Sequence, residues 1–247
     1  MTAAARTGRT HHLGALAVGL ATAIALTGFA IVLFFNPLWV EAEQARARAD
    51  LYTGFTPDQV RAVTAAIVRE VYLGPGTFLQ AVDGVPVLGP RERAHMADVR
   101  TVYLAFLALV ALAMAVLVVG RSRSRDGASF WRSVARGAAV LALGAAVAGV
   151  AFLLFFDAAF ELFHRLFFAG GTYTFDPATE RLVQLFPDQF WTETTVAIAA
   201  VGMVLTGGTW FLARRRADRF ERAGGFRAAT AAGGPGGAAG APQAPGR

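Results

Sequence analysis

Three ionisable residues follow an apolar stretch at the spacing of one helical face. They are Asp157, Glu161 and His164, separated by four and then three residues. Side chains at these separations lie one above another on a helix. A histidine titrates near neutral pH and can take a proton from a substrate, while a carboxylate can orient its ring. The group predicts general-base chemistry, with hydrogen-bonded polar residues at a helix end as the alternative.

A second histidine has a similar setting ahead of another apolar stretch. Glu92, His95 and Asp98 are spaced three residues apart and come near one face of a helix. Either this histidine or His164 can act as the base, oriented by Asp98 or Asp157. Positive potential for a developing oxyanion can come from two nearby arginines, Arg100 and Arg165.

The rest of the composition restricts the reactions that these groups can catalyse. The chain has no Cys, which excludes a disulfide scaffold, a thiolate zinc site and a Cys nucleophile. Its Ser residues all lie in one arginine-rich connection, residues 121–136. A Gly-rich phosphate loop, an HExxH motif and a GxSxG elbow are absent from the sequence, which argues against ATP-driven transport and serine hydrolysis. The nucleophile is therefore expected to belong to the substrate, with the protein supplying a base and oxyanion donors.

A metal site is an alternative use of the same residues. Glu92-x-x-His95 and Glu161-x-x-His164 match the Glu-x-x-His element that di-iron bundles use twice. Such bundles also need a Glu on each of two other helices, and the first and fourth apolar stretches have none. A site for a single divalent ion stays open as an alternative. Our expectation is that the protein uses no metal and no cofactor.

Four apolar stretches predict that these residues lie at a membrane. Of the 247 residues 55% are hydrophobic and 16% charged, and the mean hydropathy is +0.47. A bilayer core needs about 20 apolar residues in a helix, and four uncharged stretches reach this length: 13–35, 102–120, 137–156 and 194–213. They predict an all-α membrane protein with a four-transmembrane-helix bundle. Glycines in these stretches are expected to allow close helix packing, for example Gly144, Gly149, Gly202, Gly207 and Gly208.

The arginines divide unevenly among the connecting segments. Residues 1–12, 121–136 and 214–247 hold 14 Arg and 3 acidic residues, whereas residues 36–101 and 157–193 hold 9 Arg and 14 acidic residues. Cytoplasmic flanks carry the excess of basic residues. Both termini are therefore predicted to be cytoplasmic and the two histidine-bearing segments extracytoplasmic. The basic patches are interpreted as topological anchors, and no nucleic-acid partner is expected.

The longer outer segment, 36–101, is predicted to form a small cap of one helix and one hairpin. Thr56-Pro57-Asp58-Gln59 has the residues of a capped helix start, which predicts a helix over about 57–73. Asp83-Gly84 predicts the two-residue turn of a hairpin within 78–88. The charged stretch from Val40 to Leu51 is left unassigned.

Two spans are expected to continue as helices beyond their apolar residues. Residues 91–100 are predicted to lead into the second span without a break. The third span is predicted to stay helical to about residue 169 and to end at Gly170-Gly171. The tail, 214–247, is Gly-, Ala- and Pro-rich towards its end and is expected to be disordered.

Three motifs, each just outside a span, together resemble a known family. They are Glu92-x-x-His95-Met96-x-Asp98-Val99, Phe156-Asp157-x-x-Phe160-x-x-Phe163-His164-x-x-Phe167-Phe168 and Leu182-Val183-x-Leu185-Phe186-Pro187-x-x-Phe190-Trp191. In this order they are similar to motifs of the lipoprotein intramolecular transacylase (Lit) family of four-span bacterial membrane proteins. The similarity covers roughly residues 13–213.

The resemblance implies an acyltransferase of the bacterial cytoplasmic membrane. Its reaction would move the sn-2 acyl chain of a diacylglyceryl-modified lipoprotein onto the α-amine of that lipoprotein's N-terminal Cys. The resemblance implies His164 as general base, His95 as a second essential group or oxyanion donor, and Asp157 as the group that orients His164. Substrate contacts are expected from a further set of residues: Asp98, Arg100, Glu161, Arg165 and Trp191.

The partners expected on this interpretation are membrane lipids and diacylglyceryl-modified lipoproteins. The two imidazoles should then converge in an extracytoplasmic pocket that an acyl chain can enter. Two other functions stay open: a non-catalytic membrane scaffold that binds a partner protein, and a His/carboxylate metal-binding membrane protein.

Overall fold

The computed structural model describes residues 3–124, 126–168 and 172–232, and most of them are helical. The elements in chain order are α1 (Ala3–Phe34), α2 (Pro37–Arg46), α3 (Ala49–Thr53), α4 (Pro57–Leu73), β1 (Ala81–Val82), β2 (Val85–Pro86), α5 (Pro90–Arg123), α6 (Gly127–Leu154), α7 (Phe156–Phe167), α8 (Arg181–Leu185) and α9 (Asp188–Ala232). Helices α1, α5, α6 and α9 are long and apolar enough to cross a membrane. They pack as a bundle, with α6 against α9 and α1, and α1 against α5. The predicted all-α membrane fold with four spans is confirmed.

The bundle helices approach one another closely at glycines other than those expected. A Cβ added at Gly137 of α6 would overlap the backbone carbonyl of Gly19 in α1. These two helices therefore touch backbone to backbone. At all of the glycines expected to serve this purpose, an added Cβ would meet no described atom within 4 Å: Gly144, Gly149, Gly202, Gly207 and Gly208. The expectation for that set is wrong, because these residues lie on faces that no described helix covers.

The cap is formed by α2, α3, α4, the hairpin and α8. Its core consists of buried apolar side chains from these elements and the loops between them: Ile67, Val71, Phe78, Leu88 and Leu185. Helix α4 has the predicted bounds and the predicted capping box, in which Thr56 and Gln59 exchange hydrogen bonds between side chain and backbone. The stretch from Val40 to Leu51, unassigned from the sequence, lies mostly in α2 and α3.

A single carboxylate organises the loop between α4 and the hairpin. Glu70 accepts hydrogen bonds from the backbone N–H groups of Thr77 and Phe78, and from the side chains of Thr77 and Gln80. Phe78 has a φ of 51°, which is uncommon for a bulky residue, and its side chain is fully buried. The hairpin that follows has the predicted two-residue turn, Asp83-Gly84, with positive φ at both residues.

The third span does not continue as one helix to residue 169. Helix α6 ends at Leu154, Phe155 has non-helical dihedral angles (φ −138°, ψ 50°), and α7 starts at Phe156. Helix α7 is amphipathic, and its apolar residues Leu162 and Leu166 are exposed. A helix of this kind suits the plane of a membrane interface, and the break lets it leave the direction of α6. The expected stop at Gly170-Gly171 lies outside the described residues.

The start of α5 and the end of α9 can be compared with the boundaries predicted from the sequence. Helix α5 runs without a break from Pro90 through the whole second span, as predicted, and Gly89 is its N-cap. Helix α9 continues past the fourth apolar stretch to Ala232. Residues 214–232, placed in a disordered tail by the sequence, are therefore helical, because the arginine-rich and alanine-rich sequence extends the helix of the span. Residues 233–247 lie outside the described part.

Candidate active site

The two candidate histidines, each just outside an apolar span, face each other. His95 lies in the second turn of α5 and His164 lies in the second half of α7. Their ring centroids are 6.1 Å apart and the ring planes are inclined by only 25°. Both side chains are buried, with residue exposures of 6% and 8%. The expected convergence of the two imidazoles is therefore present in the structure.

The backbone of α7 determines which nitrogen of His164 can act as a base. Nδ1 lies 2.8 Å from the carbonyl oxygen of Phe160, one helical turn earlier. Because a carbonyl oxygen only accepts, Nδ1 carries the hydrogen, and Nε2 holds the free lone pair of the neutral ring. The sequence assigned this orienting role to Asp157, but that residue is exposed at the start of α7. Phe160 orients the ring through its main chain instead.

Burial also affects the protonation of His164. Removal of the ring from water lowers the pKa of His164 below its ordinary value of 6.5, and the Phe160 carbonyl and the Glu161 carboxylate oppose this in part. The ring is therefore neutral at pH 7. A neutral imidazole is the form that can accept a proton.

The ring of His95 has a different polar environment. Its Nδ1 is buried and makes no hydrogen bond with any described residue. The ring contacts two aromatic side chains, with centroid distances of 4.9 Å to Phe168 and 5.4 Å to Phe175. A buried polar atom without a partner costs about 1 to 3 kcal/mol. This nitrogen therefore leaves an unused hydrogen-bonding position beside His164.

Aromatic rings enclose the histidine pair. Phe160 lies 4.1 Å from His164, and Tyr173 lies 4.9 Å from it, measured between ring centroids. Phe168 touches both imidazoles, at 4.9 Å from His95 and 5.5 Å from His164. Charges and dipoles interact more strongly in such an apolar setting than in water. The surroundings suit a reaction in which an oxyanion and an imidazolium form together.

On α7, beside His164, an arginine and a tyrosine both donate to one glutamate. The Arg165 guanidinium donates to Glu161 Oε1 at 2.6 Å, and the Tyr173 hydroxyl donates to the same oxygen at 3.0 Å. These bonds attach the segment after α7 to the helix. The negative charge of Glu161 is thus shared by two donors before any substrate is considered.

Of the other predicted site residues, Asp98 lies within electrostatic range of His95, and the rest are not grouped around the histidines. Asp98 and Asp157 are both exposed. Arg100 donates from Nε to the backbone oxygen of Glu70 at 3.2 Å, which directs it towards the cap. Trp191, at the start of α9, is exposed by 40% and lies 6.4 Å from the Phe160 ring. Of this set, Trp191 contacts an aromatic residue that also contacts His164.

A protein-family comparison identifies the chain. The model of the family described as lipoprotein intramolecular transacylase Lit matches residues 15–191. This chain belongs to the Lit family. It is therefore a multi-pass bacterial membrane protein and an acyltransferase of the lipoprotein-modifying class. A search of the curated proteins finds no match.

Solved structures of Lit from Bacillus cereus share the fold. One is 15% identical, covers 87% of this chain and 99% of that one, and has a TM-score of 0.71. Two others carry a mutation of one histidine, to arginine or to alanine. They are 16% and 15% identical, cover 88% and 90% of this chain and 96% and 100% of those chains, and have TM-scores of 0.68 and 0.69.

One residue of this Lit family member has a role that sequence reasoning missed. Glu92, considered there as a metal ligand, is buried and accepts 2.6 Å hydrogen bonds from the backbone N–H groups of Gly89 and Leu182. It thereby joins the first turn of α5 to α8, and His95 follows three residues later. The signal was the sequence Gly89-Pro90-Arg91-Glu92, which places an acidic residue at the third helical position of a capped helix.

The described residues also bear on the metal alternative. No three His, Asp or Glu side chains come together as possible metal ligands within residues 3–124, 126–168 and 172–232. The reason is that Glu92 is used by two backbone donors and Glu161 by Arg165 and Tyr173. The two Glu-x-x-His elements of this Lit family member thus have other partners for their carboxylates.

Proposed function

We propose that the enzyme transfers the sn-2 acyl chain of a diacylglyceryl lipoprotein to the α-amine of the N-terminal Cys of the same lipoprotein. The observation that carries this is the pair of facing, buried imidazoles with the Nδ1 of His164 hydrogen-bonded to Phe160. The family description supplies the lipoprotein and the intramolecular acyl transfer. The sn-2 ester and the Cys α-amine as acceptor are those that the resemblance of the sequence motifs implies.

In the proposed reaction His164 is the general base. Its Nε2 removes a proton from the Cys amine as the nitrogen attacks the carbonyl carbon of the sn-2 ester. The resulting oxyanion needs donors in a site that excludes water. The C–O bond to the glyceryl oxygen then breaks, and the imidazolium of His164 returns its proton to that oxygen. The products are an N-acyl Cys and a free sn-2 hydroxyl, so no enzyme Ser or Cys is required.

His95 is proposed as the second catalytic group. Its Nδ1 has no described partner, so the substrate can complete its hydrogen bonding. A neutral imidazole has one N–H donor and one bare nitrogen. In the proposed reaction the N–H of His95 donates to the oxyanion. Its distance from His164 is suitable for one tetrahedral centre to lie between or beside both rings.

The remaining predicted residues are proposed to act further out. Glu161 and Arg165 would meet the polar glyceryl and peptide part of the substrate, because their ion pair lies beside His164. Tyr173, which the structure adds to the site, donates to the same Glu161 oxygen. Trp191 would line the path of an acyl chain, and Asp98, Asp157 and Arg100 would set the potential around the entrance. The exposed apolar residues of α7 support entry from the lipid, because a diacyl substrate remains in the bilayer.

The arginine distribution supports an extracytoplasmic active face. The histidines lie in segments poor in arginine, and both chain ends lie with the arginine-rich ones. On this proposal the reaction takes place at the outer leaflet.

The decisive experiment is mass spectrometry of lipoprotein N-termini from cells that express the protein. Wild type should yield N-acylated lipoproteins with one acyl chain on the glyceryl group, and His164→Ala should leave both acyl chains on the glyceryl group and the α-amine free. Because these two forms are isomers of equal mass, fragmentation of the N-terminal peptide distinguishes them. His12→Ala is the matched control, because His12 is exposed at the other end of the bundle, and it should behave as wild type. Diacylglyceryl N-termini with a free amine in the wild-type sample would refute the proposal. If His164→Ala only lowered thermal stability and still produced the lyso form, the scaffold interpretation of the histidine would stand.

A further inference from the structure

A cavity lies at the end of the bundle away from the histidines. It has a volume of about 360 Å³ and is lined by Arg121, Trp131, Arg216, Arg219 and Phe220. Helix α5 is continuous from His95 to Arg121, a span of roughly 39 Å at 1.5 Å per residue. The cavity therefore belongs to the opposite membrane face and takes no part in the proposed reaction.

The three arginines of this cavity have no acidic partner among the described residues. Every ion pair that the structure describes on this face involves Arg132, which bridges Asp126 and Glu221. The remaining nearby acid, Asp218, is two residues from Arg216 and hence about 200° around the helix, on another face. Arg121, Arg216 and Arg219 thus bring three positive charges to one cavity without neutralisation by a described side chain.

Aromatic rings position these charges. The Cζ of Arg216 lies 4.6 Å from the Trp131 ring centroid, and that of Arg121 lies 5.8 Å from the Phe220 ring centroid. Phe220 packs directly against Gly127, since a Cβ there would lie 2.8 Å from the ring. A guanidinium over an aromatic face keeps its N–H donors free at the edge for an anion. The cavity is therefore suited to hold a phosphate group by several arginine hydrogen bonds.

The cavity lies where lipid head groups are found. Arg121 directly follows the second apolar stretch, and Arg216 comes three residues after the end of the fourth. One turn towards the bilayer, on the same helix faces, Val118 is 65% exposed and Leu212 is 60% exposed. A ligand with a phosphate and fatty acyl chains would contact both the arginines and these apolar residues. A free phosphate could use only the arginines.

We propose that this cavity is a binding site for the head group of an anionic glycerophospholipid of the leaflet opposite the active site. The phosphodiester contacts Arg121, Arg216 and Arg219, and the acyl chains lie along α5 and α9. Basic pockets between transmembrane helices commonly bind such lipids. Occupancy would connect α5, α6 and α9, three helices of the bundle that positions the histidines.

The test measures lipid binding by delipidated protein with native mass spectrometry and thermal unfolding. The probes are phosphatidylglycerol, phosphatidylcholine and glycerol 3-phosphate. Wild type should bind phosphatidylglycerol at least about tenfold more tightly than phosphatidylcholine, as two to three arginine contacts imply, and its melting temperature should rise. The double variant Arg121→Gln/Arg216→Gln should lose this preference. The control Arg222→Gln/Arg227→Gln removes the same charge from exposed positions of α9 outside the cavity. It should keep the preference for phosphatidylglycerol.

Three results would overturn the proposal. One is equal binding of the two lipids by wild type, and another is equal loss of the preference in both double variants, which would mean diffuse attraction by the basic face. The third is saturable binding of glycerol 3-phosphate as tight as that of the lipid, which would assign the cavity to a soluble anion. If the double variant of the cavity did not fold, Arg219→Gln against Arg222→Gln would provide the same comparison with one charge removed from each.

Discussion

At the level of single residues, the site depends on a hydrogen bond between the main chain and a side chain of α7. The carbonyl of Phe160 orients His164, and aromatic rings remove both histidines from water. Serine-triad enzymes orient the base with a carboxylate. Here a backbone oxygen performs this function, and a backbone oxygen cannot be removed by a side-chain substitution. A variant of Asp157 should accordingly affect the acyl transfer far less than a variant of His164.

The protonation of His164 leads to a prediction about pH. Because burial lowers the pKa of His164 below its ordinary value of 6.5, the ring stays neutral until the solution is more acidic than that. A base works only when it is unprotonated, so the rate, once divided by the fraction of substrate α-amine that is unprotonated (ordinary pKa about 7.7 to 8), should be level at neutral pH and fall with acid at a midpoint below 6.5. Single-turnover transfer on a diacylglyceryl lipopeptide, followed across pH, measures this midpoint. A midpoint at or above the ordinary value would show that another group limits the reaction. His12→Gln, on the other face, should leave the profile unchanged.

At the scale of the elements, Glu92 holds the start of α5 in place. Its two oxygens accept from Gly89 and Leu182, so Glu92→Gln would put an amide N–H₂ against a backbone N–H. The expected cost is about 2 kcal/mol of stability, and activity should fall because His95 stands one turn further along. Thermal unfolding in detergent measures the first effect. Glu41→Gln is the control, because the Glu41 carboxylate is 42% exposed and, among the described residues, forms an ion pair with Arg61 alone, so its loss should cost less than about 1 kcal/mol. Equal stability of the two variants would contradict the structural role of Glu92.

The packing of α1 on α6 predicts contrasting effects for two glycines of the same helix. Gly137→Ala would force the new methyl group against the Gly19 backbone, which cannot move without separating the helices, so a loss of about 1 to 3 kcal/mol is expected. Gly144→Ala meets no described atom within 4 Å, and alanine favours a helix more than glycine does. That variant should unfold at the wild-type temperature or slightly above it. Similar losses in both variants would show that α6 packs differently.

The same contrasts show how far the sequence could predict this protein. The four spans followed from length and hydropathy alone, because a bilayer demands about 20 apolar residues, and α4 and the hairpin followed from local cap and turn residues. The break at Phe155 has no Gly or Pro to mark it. It depends on the tertiary contacts of α7, such as that of His164 with His95. Which glycine faces a neighbour, and which atom orients His164, depend on tertiary contacts that periodicity does not contain.

At the scale of the whole molecule, the cap and the bundle join through polar contacts between α2 and α9. Trp39 donates to the hydroxyl of Thr194, and Arg46 donates to Glu193 at 2.6 Å. Beneath them Glu43 is only 2% exposed, and it has one carboxylate oxygen without a described hydrogen-bond partner. Burial, together with a hydrogen bond to Glu193, raises the pKa of Glu43 to about 7. The Glu43 carboxyl is thus protonated in the folded protein up to about pH 7, at the junction that carries the cap.

This junction predicts that the stability of the protein depends on pH through Glu43. The pKa of Glu43 is about 7 in the folded protein, against an ordinary 4.5, so folding favours the protonated form. The stabilisation is complete below pH 4.5 and is lost as the pH rises through about 7. Glu43→Gln keeps a neutral donor at all pH values, so it should match wild type at pH 4 and exceed it at pH 8 by on the order of 3 kcal/mol, from a pKa of about 7 against 4.5 at about 1.4 kcal/mol per pH unit. Thermal unfolding of both proteins at the two pH values measures the difference, and Glu41→Gln again serves as the exposed control. A gap between wild type and Glu43→Gln that stayed constant with pH would mean that folding does not raise the pKa of Glu43.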